Sequence, residues 1–488
     1  MAFRLKFASA ARNAPVPRPV QPLSARAFGW VPALLAVVGA AIGLAGATHA
    51  QASTAALATA TAGRGINPDP VELRLPPDRP LSAVARLGRL MFFDSTLSAS
   101  GRQSCASCHA PAYGYNPPNG QALQPGGTHM GQVGFRPPPS LAYLYRQQPF
   151  SIGPDAGEVE APVNLAALAR AAGKTARAPK LAGSAPAKVP MVPMGGLFWD
   201  GRAASFQRQA LAPMLNPVEM ANTSIGQVAA RLGASPYRGQ FQQLFGRDIL
   251  KQPDQLVSEA MFAISRFETE DASFHRFTSK YDAWLQGKAR LDAAEMRGLT
   301  LFNEPQKGNC AACHLSKVSA DRLPPLFTDT QYEALGVPRN TALPMNRDPH
   351  FHDLGLCGPF RHDLARQTRY CGMFITPTLR NVDRRQVFFH NGIYRTLRQV
   401  LDFYNLRAVA PEKIYPRGAD GRPALYDDLP AAYHANVDTM DAPFDRHVGD
   451  QPPLSDQDIQ DIIAFLHTLD DGYTSAGGRP RAGAAQEK

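Results

Sequence analysis

Two copies of the pentad Cys-x-x-Cys-His, at residues 105–109 and 310–314, hold the side chains best suited to chemistry. This spacing attaches haem c, because each thiol can form a thioether with one vinyl group and the adjacent histidine can ligate the iron. A lone Cys-x-x-Cys could also be a redox dithiol or half of a zinc site. Two copies, each followed by histidine, predict two covalent haem c groups and hence an enzyme or an electron relay. The residues concerned are Cys105, Cys108, His109, Cys310, Cys313 and His314.

The elements that must position these pentads form an imperfect repeat. Residues 87–93 precede the first pentad and residues 297–302 the second, each with apolar positions at helical spacing followed by a glycine-containing turn. Near the end of the chain, Ser455 and Asp458 have the spacing of a capping box and open an apolar helical face. Strand signals are sparse. The sequence therefore predicts a mainly α fold with two cytochrome c-like haem domains in tandem.

The chain of 488 residues is long enough for two or three domains with cores of their own. We expect an N-terminal haem domain over residues 66–284, interrupted by an Ala/Pro/Lys-rich loop insertion at 154–190. A C-terminal haem domain follows over 285–473, and a disordered tail over 474–488. The hydrophobic content of 44% and charged content of 19% are typical of soluble globular proteins.

Residues 1–52 have the pattern of a signal peptide, with five basic residues and no acid, an apolar stretch over 28–45, and Ala50-Gln51-Ala52 as a cleavage site. The apolar stretch could instead stay as a membrane anchor, although Pro32 and several glycines weaken a spanning helix. Export to the periplasm agrees with haem c, which bacteria attach outside the cytoplasm. Without the five basic residues the net charge of +10 is halved, so nothing indicates a nucleic-acid partner.

Cys357 and Cys371 are the two cysteines outside the pentads. In an oxidising compartment we expect them to form a disulfide, which would stabilise the fold by about 2–4 kcal/mol. Two free buried thiols are the alternative.

Beyond the pentads, several stretches resemble the bacterial di-haem cytochrome c peroxidases and their MauG-type relatives. They stand in family order between residues 80 and 473, at 87–93, 198–202, 308–314, 376–382, 389–392 and 402–405. The resemblance implies two cytochrome c-like domains, with peroxide reacting at the N-terminal haem and the C-terminal haem relaying electrons. His109 would then be the proximal ligand of the reactive haem and His314 that of the relay haem.

The same resemblance implies a peroxide pocket. Trp199 matches the family's tryptophan between the haems, while Gln209 and Glu219, with Pro213 between them, match the residues over the reactive iron. Heterolysis of an O–O bond needs a base to move a proton and a polar donor to stabilise charge. Glu219 would be the base, with its pKa raised by burial, and Gln209 the donor.

Two residues bear on the remaining iron ligands. His129 resembles the histidine that caps the resting reactive haem in true peroxidases and is absent from MauG-like members; it could equally be exposed in its Gly-rich loop. Tyr404 falls where true peroxidases carry methionine and MauG-like proteins tyrosine as sixth ligand of the second haem. A phenolate there would lower the haem potential. A buried structural tyrosine is the alternative, and Met345 and Met373 are rival ligands.

The family's interdomain calcium site is doubtful in this chain. Its positions fall on Pro137, Arg385 and Val387, which offer no carboxylate to a hard dication. Arg384 or Arg385 could instead supply charge near a haem propionate, or be a solvated arginine.

The resulting hypothesis is an exported di-haem c-type peroxidase that reduces hydrogen peroxide with electrons from a small cytochrome c or cupredoxin. One alternative is MauG-like oxidation of a partner protein, which Tyr404 favours and His129 disfavours. The alternative from another class is a dihaem electron-transfer cytochrome without enzymatic activity, against which the set Trp199, Gln209 and Glu219 argues. A homodimer stays open beside a monomer.

Overall fold

The computed structural model describes residues 65–154 and 191–474. The predicted signal peptide, nearly all of the insertion and the C-terminal tail beyond residue 474 lie outside the described residues. Within them the fold is mainly helical, which confirms the predicted class. The helices are α1 Ala83–Phe92, α2 Cys105–Cys108, α3 Phe206–Leu215, α4 Ile225–Ala234, α5 Arg238–Phe245, α6 Pro253–Glu270, α7 Lys280–Leu285, α8 Ala293–Asn303, α9 Leu397–Leu406 and α10 Asp456–His467.

The strands in the described residues are short and form three antiparallel pairs. Each pair joins two short segments and does not belong to a larger sheet. The pairs are β1 Pro125–Gly126 with β2 Gln132–Val133, β3 Ser151–Pro154 with β4 Met191–Met194, and β5 Tyr332–Glu333 with β6 Phe374–Ile375. The pair β3–β4 flanks the predicted insertion.

The N-terminal core is built by α1, α3, α4, α5 and α6, whose apolar faces meet around Leu87, Met91 and Phe241. The hydroxyl of Ser82 caps α1 by accepting a hydrogen bond from the amide of Ala85. Helices α1 and α6 cross closely at Gly88, where a Cβ atom would lie 1.9 Å from a backbone oxygen of α6. Only glycine permits that approach.

The C-terminal core repeats this arrangement with α8 and α10, which pack through Phe302, Ile462 and Phe465. The crossing again depends on a glycine, because a Cβ atom at Gly298 would lie 1.9 Å from the carbonyl oxygen of Asp461. The capping box predicted at the start of α10 is present. The helix before each pentad is thus held against its neighbour by a close crossing at a glycine. The tandem of cytochrome c-like domains stays a prediction.

Helix α7 lies at the predicted domain boundary. Its residues Tyr281, Trp284 and Leu285 are buried in the C-terminal core, as is Leu73 from far earlier in the chain. Packing therefore groups α7 with the C-terminal core, whereas the sequence analysis places it in the N-terminal domain. The reason is that apolar periodicity shows which face is buried but not the core that receives it.

Cys357 and Cys371 are joined in a disulfide, as predicted. Both are buried, in a small cluster with Leu356, Leu364 and Tyr332.

No helix between residues 65 and 154 or between 191 and 474 combines the length and apolar character needed to cross a bilayer.

Candidate haem sites

The first pentad forms α2, a single turn in which Ser107 Oγ accepts a hydrogen bond of 3.0 Å from the Ser104 amide. The His109 ring nitrogen Nδ1 lies 3.3 Å from the carbonyl oxygen of Tyr115. Since a carbonyl can only accept, Nδ1 carries the proton in this contact and Nε2 keeps its lone pair for a metal. Burial lowers the pKa of His109 to about 4, so the imidazole is neutral.

The second pentad has the same chemistry. Nδ1 of His314 lies 2.9 Å from the carbonyl oxygen of Phe327, and burial lowers its pKa to about 4. Both histidines are therefore oriented as neutral donors to iron by a backbone carbonyl, the arrangement expected of a proximal ligand.

The four pentad cysteines are free and partly buried. Burial raises the pKa of Cys105 and of Cys310 to about 12, and that of Cys108 to about 11. A redox dithiol needs a reactive thiolate, which this environment disfavours. The described residues also contain no group of three or more His, Cys, Asp or Glu side chains able to hold a metal ion. Thioether formation with haem fits these thiols better than the two alternatives.

The residues predicted to form the peroxide pocket lie on α3 and on the loop after it. Gln209 is buried on α3, and the carbonyl oxygen of Pro213 accepts from the Met220 amide, which ties the loop to the helix. Asn216 Nδ2 donates a hydrogen bond of 2.8 Å to the Glu219 carboxylate. Burial raises the pKa of Glu219, although Arg202 and Asn216 oppose that shift.

Glu219 lies beside the first pentad. Its charge raises the pKa of Cys108, after the larger effect of burial. Gln103 joins the start of β1 to the first pentad. Its Nε2 donates to the carbonyl oxygen of Pro125 at 3.0 Å and lies 3.8 Å from the Cys108 sulfur. The structure thus brings a half-buried acid close enough to the first pentad for its charge to act on a thiol.

His129 stands at the exposed tip of the β1–β2 hairpin. The base of this hairpin packs on the Glu219 loop, because the Gly127 amide donates to the Glu219 carbonyl at 2.8 Å and a Cβ atom at Gly126 would lie 2.2 Å from the Val218 carbonyl. The hairpin therefore adjoins the pocket while the imidazole itself faces outward. Ligation by His129 stays a prediction that this conformation does not display.

Trp199 is buried and contacts segments of both predicted haem domains. Its indole Nε1 donates to the Pro137 carbonyl at 2.8 Å, and its own carbonyl accepts from the Ile375 amide at 3.0 Å. The neighbouring Asp200 carboxylate is fully buried and pairs with Arg136 and Arg202 at 2.8 Å each. These contacts fix the indole from both sides.

A cavity of about 300 Å³ opens next to Trp199. The side chains relevant to a cofactor that line it are Trp199, Arg385, Cys310, Cys313, His314 and Tyr404. The rival ligands Met345 and Met373 do not line it. Burial, and next the charges of Cys313 and Cys310, raise the pKa of Tyr404. Its ring stacks on Phe444 with centroids 5.5 Å apart. The structure places Tyr404 in the same cavity as the second pentad.

Arg385 is a half-buried cation without a paired carboxylate among the described residues. Its Nη1 donates to Asn116 Oδ1 at 3.0 Å, while its buried Nη2 has no hydrogen-bond partner in the structure. Burial lowers its pKa to about 10, so the guanidinium lacks a compensating anion. A haem carboxylate in the adjoining cavity would supply that anion. The neighbouring Arg384 is already engaged by Asp470, at 3.5 Å.

The doubtful calcium positions lie around this arginine. The Pro137 carbonyl oxygen accepts from the Trp199 indole, and the Arg385 guanidinium carbon stands 5.6 Å from the centre of that ring. A cation already held beside the indole opposes the binding of a dication at the same place.

Comparisons with known proteins agree with this geometry. A family model for di-haem cytochrome c peroxidase matches residues 82–290. The methylamine utilization protein MauG of Paracoccus denitrificans is 32% identical over 398 residues, which cover 80% of this chain and 89% of that protein. The chain belongs to the di-haem cytochrome c peroxidase family. The predicted family is therefore confirmed, as is the prediction that the protein is a peroxidase-like oxidoreductase.

Two further relatives support the assignment to this family. The cytochrome c551 peroxidase of Nitrosomonas europaea is 28% identical over 339 residues, covering 67% of this chain and 76% of that protein. The crystal structure of the diheme peroxidase BthA from Burkholderia thailandensis matches with a TM-score of 0.68 and 34% identity. That match covers 83% of this chain and 89% of BthA. Family membership supports haem as the cofactor, and the residues described above fit it.

Glu268, on α6, is a residue that the sequence analysis missed. It is 4% exposed, and its Oε2 has no hydrogen-bond partner among the described residues. Burial raises its pKa to about 8, and its charge in turn raises the pKa of Cys105. The signal was available in the sequence, because residue 268 is four positions after the core residue Ile264 and so shares its buried face.

Proposed function

We propose that this protein is an exported di-haem c-type peroxidase that reduces hydrogen peroxide with electrons from a small cytochrome c or cupredoxin. The observation that carries the proposal is the half-buried Glu219 carboxyl, whose pKa is raised and whose charge acts on Cys108 of the first pentad. A pure electron carrier has no need for a proton-accepting group at that place.

The residues divide the work as follows. Bound haem would supply the iron at which the O–O bond of peroxide is cleaved. Glu219 accepts a proton from one peroxide oxygen and returns it to the other, and its raised pKa brings proton exchange closer to neutral pH. The Gln209 amide donates to the oxygen on which charge develops. Asn216 holds the Glu219 carboxylate in place through its 2.8 Å hydrogen bond.

The four pentad thiols would hold two haems as thioethers, with His109 and His314 as iron ligands. Arg385 would bind a haem carboxylate through its unpaired nitrogen, and this internal cation replaces calcium. Tyr404 would be the sixth ligand at the second site, since it shares a cavity with His314 while Met345 and Met373 do not. Export to the periplasm would provide both haem attachment and the oxidising conditions for the disulfide between Cys357 and Cys371.

The second candidate function is peroxide-dependent oxidation of a partner protein, which the resemblance to MauG-type members implies. Tyr404 favours it, since MauG-like members carry tyrosine at that position, whereas the presence of His129 disfavours it. In that case a side chain of the partner, rather than a small redox protein, would supply the electrons.

Glu219→Gln tests the proposed chemistry. We expect the purified holoprotein to react with hydrogen peroxide about 10²–10⁴-fold more slowly, because the base is lost while the shape of the side chain is kept. Stopped-flow absorbance in the Soret region measures this rate. Glu304→Gln, at an exposed residue, is the matched control and should react at the wild-type rate. A wild-type rate in Glu219→Gln would show that Glu219 is not the base.

A further inference from the structure

Tyr143 is a buried phenol that the proposed function does not use. It lines the same cavity as Trp199 and His314, so its ring lies on the wall of the candidate cofactor site. Its backbone belongs to the N-terminal half, where the Tyr143 amide donates to the Phe274 carbonyl at 2.7 Å. Its hydroxyl reaches a residue at the far end of the chain.

The partner of that hydroxyl is a buried carboxylate. Tyr143 Oη lies 2.8 Å and 2.7 Å from the two oxygens of Asp471. Asp471 is fixed in place by Asn381 Nδ2 at 2.8 Å and by the Thr278 amide at 3.1 Å. A short, preorganised hydrogen bond therefore joins the phenol to a base that cannot turn away.

The surroundings keep the phenol neutral and protonated at rest. Burial, and next the charge of Asp471, raise the pKa of Tyr143 well above its ordinary value. The Arg380 guanidinium, 5.3 Å from the ring centre, disfavours additional positive charge on the ring. Loss of an electron from this ring is consequently feasible only if the proton leaves in the same event, and Asp471 is placed to receive it.

We propose that Tyr143 is a redox-active residue that gives one electron to the oxidising equivalents left by peroxide, while its phenolic proton moves to Asp471. The O–H bond of Tyr143 breaks, an O–H bond forms on Asp471, and a neutral tyrosyl radical remains. An electron from the reducing partner and the returning proton restore the phenol. This inference rests on the proposed reaction with peroxide and adds a residue that stores oxidising power.

Tyr115 provides a matched control. It is a buried tyrosine of the same half, but its hydroxyl contacts the Ser273 hydroxyl, which is a poor proton acceptor. It does not line the cavity. If burial alone made a tyrosine oxidisable, the two residues would behave alike.

The test is rapid freeze-quench electron paramagnetic resonance of the full-length holoprotein after one equivalent of hydrogen peroxide. We expect a tyrosyl radical signal whose hyperfine structure narrows when the protein contains ring-deuterated tyrosine. Tyr143→Phe should lose that signal, and Tyr115→Phe should keep it. Asp471→Asn should also lose it, since an amide cannot take up the phenolic proton, although Tyr143 itself is retained.

Soret absorbance recorded on the same samples separates this inference from the proposed function. No absorbance response to peroxide in the wild type would overturn both. A normal response with no tyrosyl signal in the wild type, or with the full signal retained in Tyr143→Phe, would overturn the role of Tyr143 alone. Should Tyr143→Phe fail to fold, the isotope experiment on the wild type and Asp471→Asn decide the question.

Discussion

The two pentad sites are alike on the histidine side and different on the opposite side. In each, a half-buried neutral histidine donates from Nδ1 to a backbone carbonyl, at Tyr115 in the first site and at Phe327 in the second. In each, the preceding helix crosses its neighbour at a glycine. The first site then adds a proton-accepting carboxyl, Glu219, whereas the second adds a phenol, Tyr404. Under the proposed function, the difference teaches that one haem-attachment device would serve two roles through a change in the group that faces the iron.

Removal of either pentad's thiols tests the shared half of this comparison and has the largest expected effect. The wild-type mass should equal the apoprotein plus two haems. Cys105→Ser with Cys108→Ser, or Cys310→Ser with Cys313→Ser, should each lose one covalent haem, since the thioether sulfurs are gone. Intact mass and haem staining of denaturing gels measure this. Cys357→Ser should keep both haems, and a double variant that also keeps both would contradict the attachment scheme.

Tyr404→Phe tests the side on which the two pentad sites differ, opposite the histidine. A phenolate prefers ferric iron, so the wild-type second haem should resist reduction by ascorbate, and the fully ferric protein should react with peroxide without prior reduction. The variant should change the low-spin ferric spectrum and raise the potential of that haem only. Tyr394→Phe, outside the cavity, should be silent in both measurements. Silence of Tyr404→Phe would point to another sixth ligand.

The glycine crossings can be compared by substitution. Gly88→Ala and Gly298→Ala should each lower the free energy of unfolding by about 3 kcal/mol, at the upper end of overpacking costs, because the added Cβ meets a backbone oxygen. Gly233→Ala, in α4 with open space around its Cβ, should be neutral or slightly stabilising. Denaturant titration of the holoproteins gives the values, and equal behaviour of the three variants would refute the close crossings.

We expect Glu268 to make the stability of the N-terminal core depend on pH. Its pKa is raised to about 8 from an ordinary 4.5, so the folded state binds this proton more tightly than the unfolded state. Its contribution to stability is therefore most favourable below pH 4.5 and is lost as pH rises towards 8. Glu268→Gln should stabilise the protein at pH 8 by on the order of 2 kcal/mol, less than the full 1.4 kcal/mol per unit of pKa shift because buried groups relax.

Thermal unfolding of wild type and variant from pH 5 to 8 checks this prediction. The stability difference should shrink towards pH 5, where Glu268 is protonated. A difference independent of pH would mean that the carboxyl is not the group that titrates. Glu304→Gln again serves as the exposed control.

Much of the candidate site was predictable because its signals are local. The pentads, the capping box at Ser455, the helices before each pentad and the family motif around Trp199 depend on spacing within a few residues. The disulfide followed from the compartment and from the count of cysteines. The resemblance to the family, and not local spacing alone, led to the prediction of Gln209 and Glu219, which follow Trp199 at ten-residue intervals.

The sequence by itself thus determined the helical class and the family, and it supplied the prediction of the haem-attachment residues. Only the tertiary structure decided that α7 packs into the C-terminal core, that the buried Nη2 of Arg385 has no hydrogen-bond partner among the described residues, and that Tyr143 meets Asp471 from 328 positions away. The physical reason is that helical periodicity and covalent spacing act over a few residues. Desolvation and pairing depend on which distant segments share an interior, and no local pattern encodes that choice.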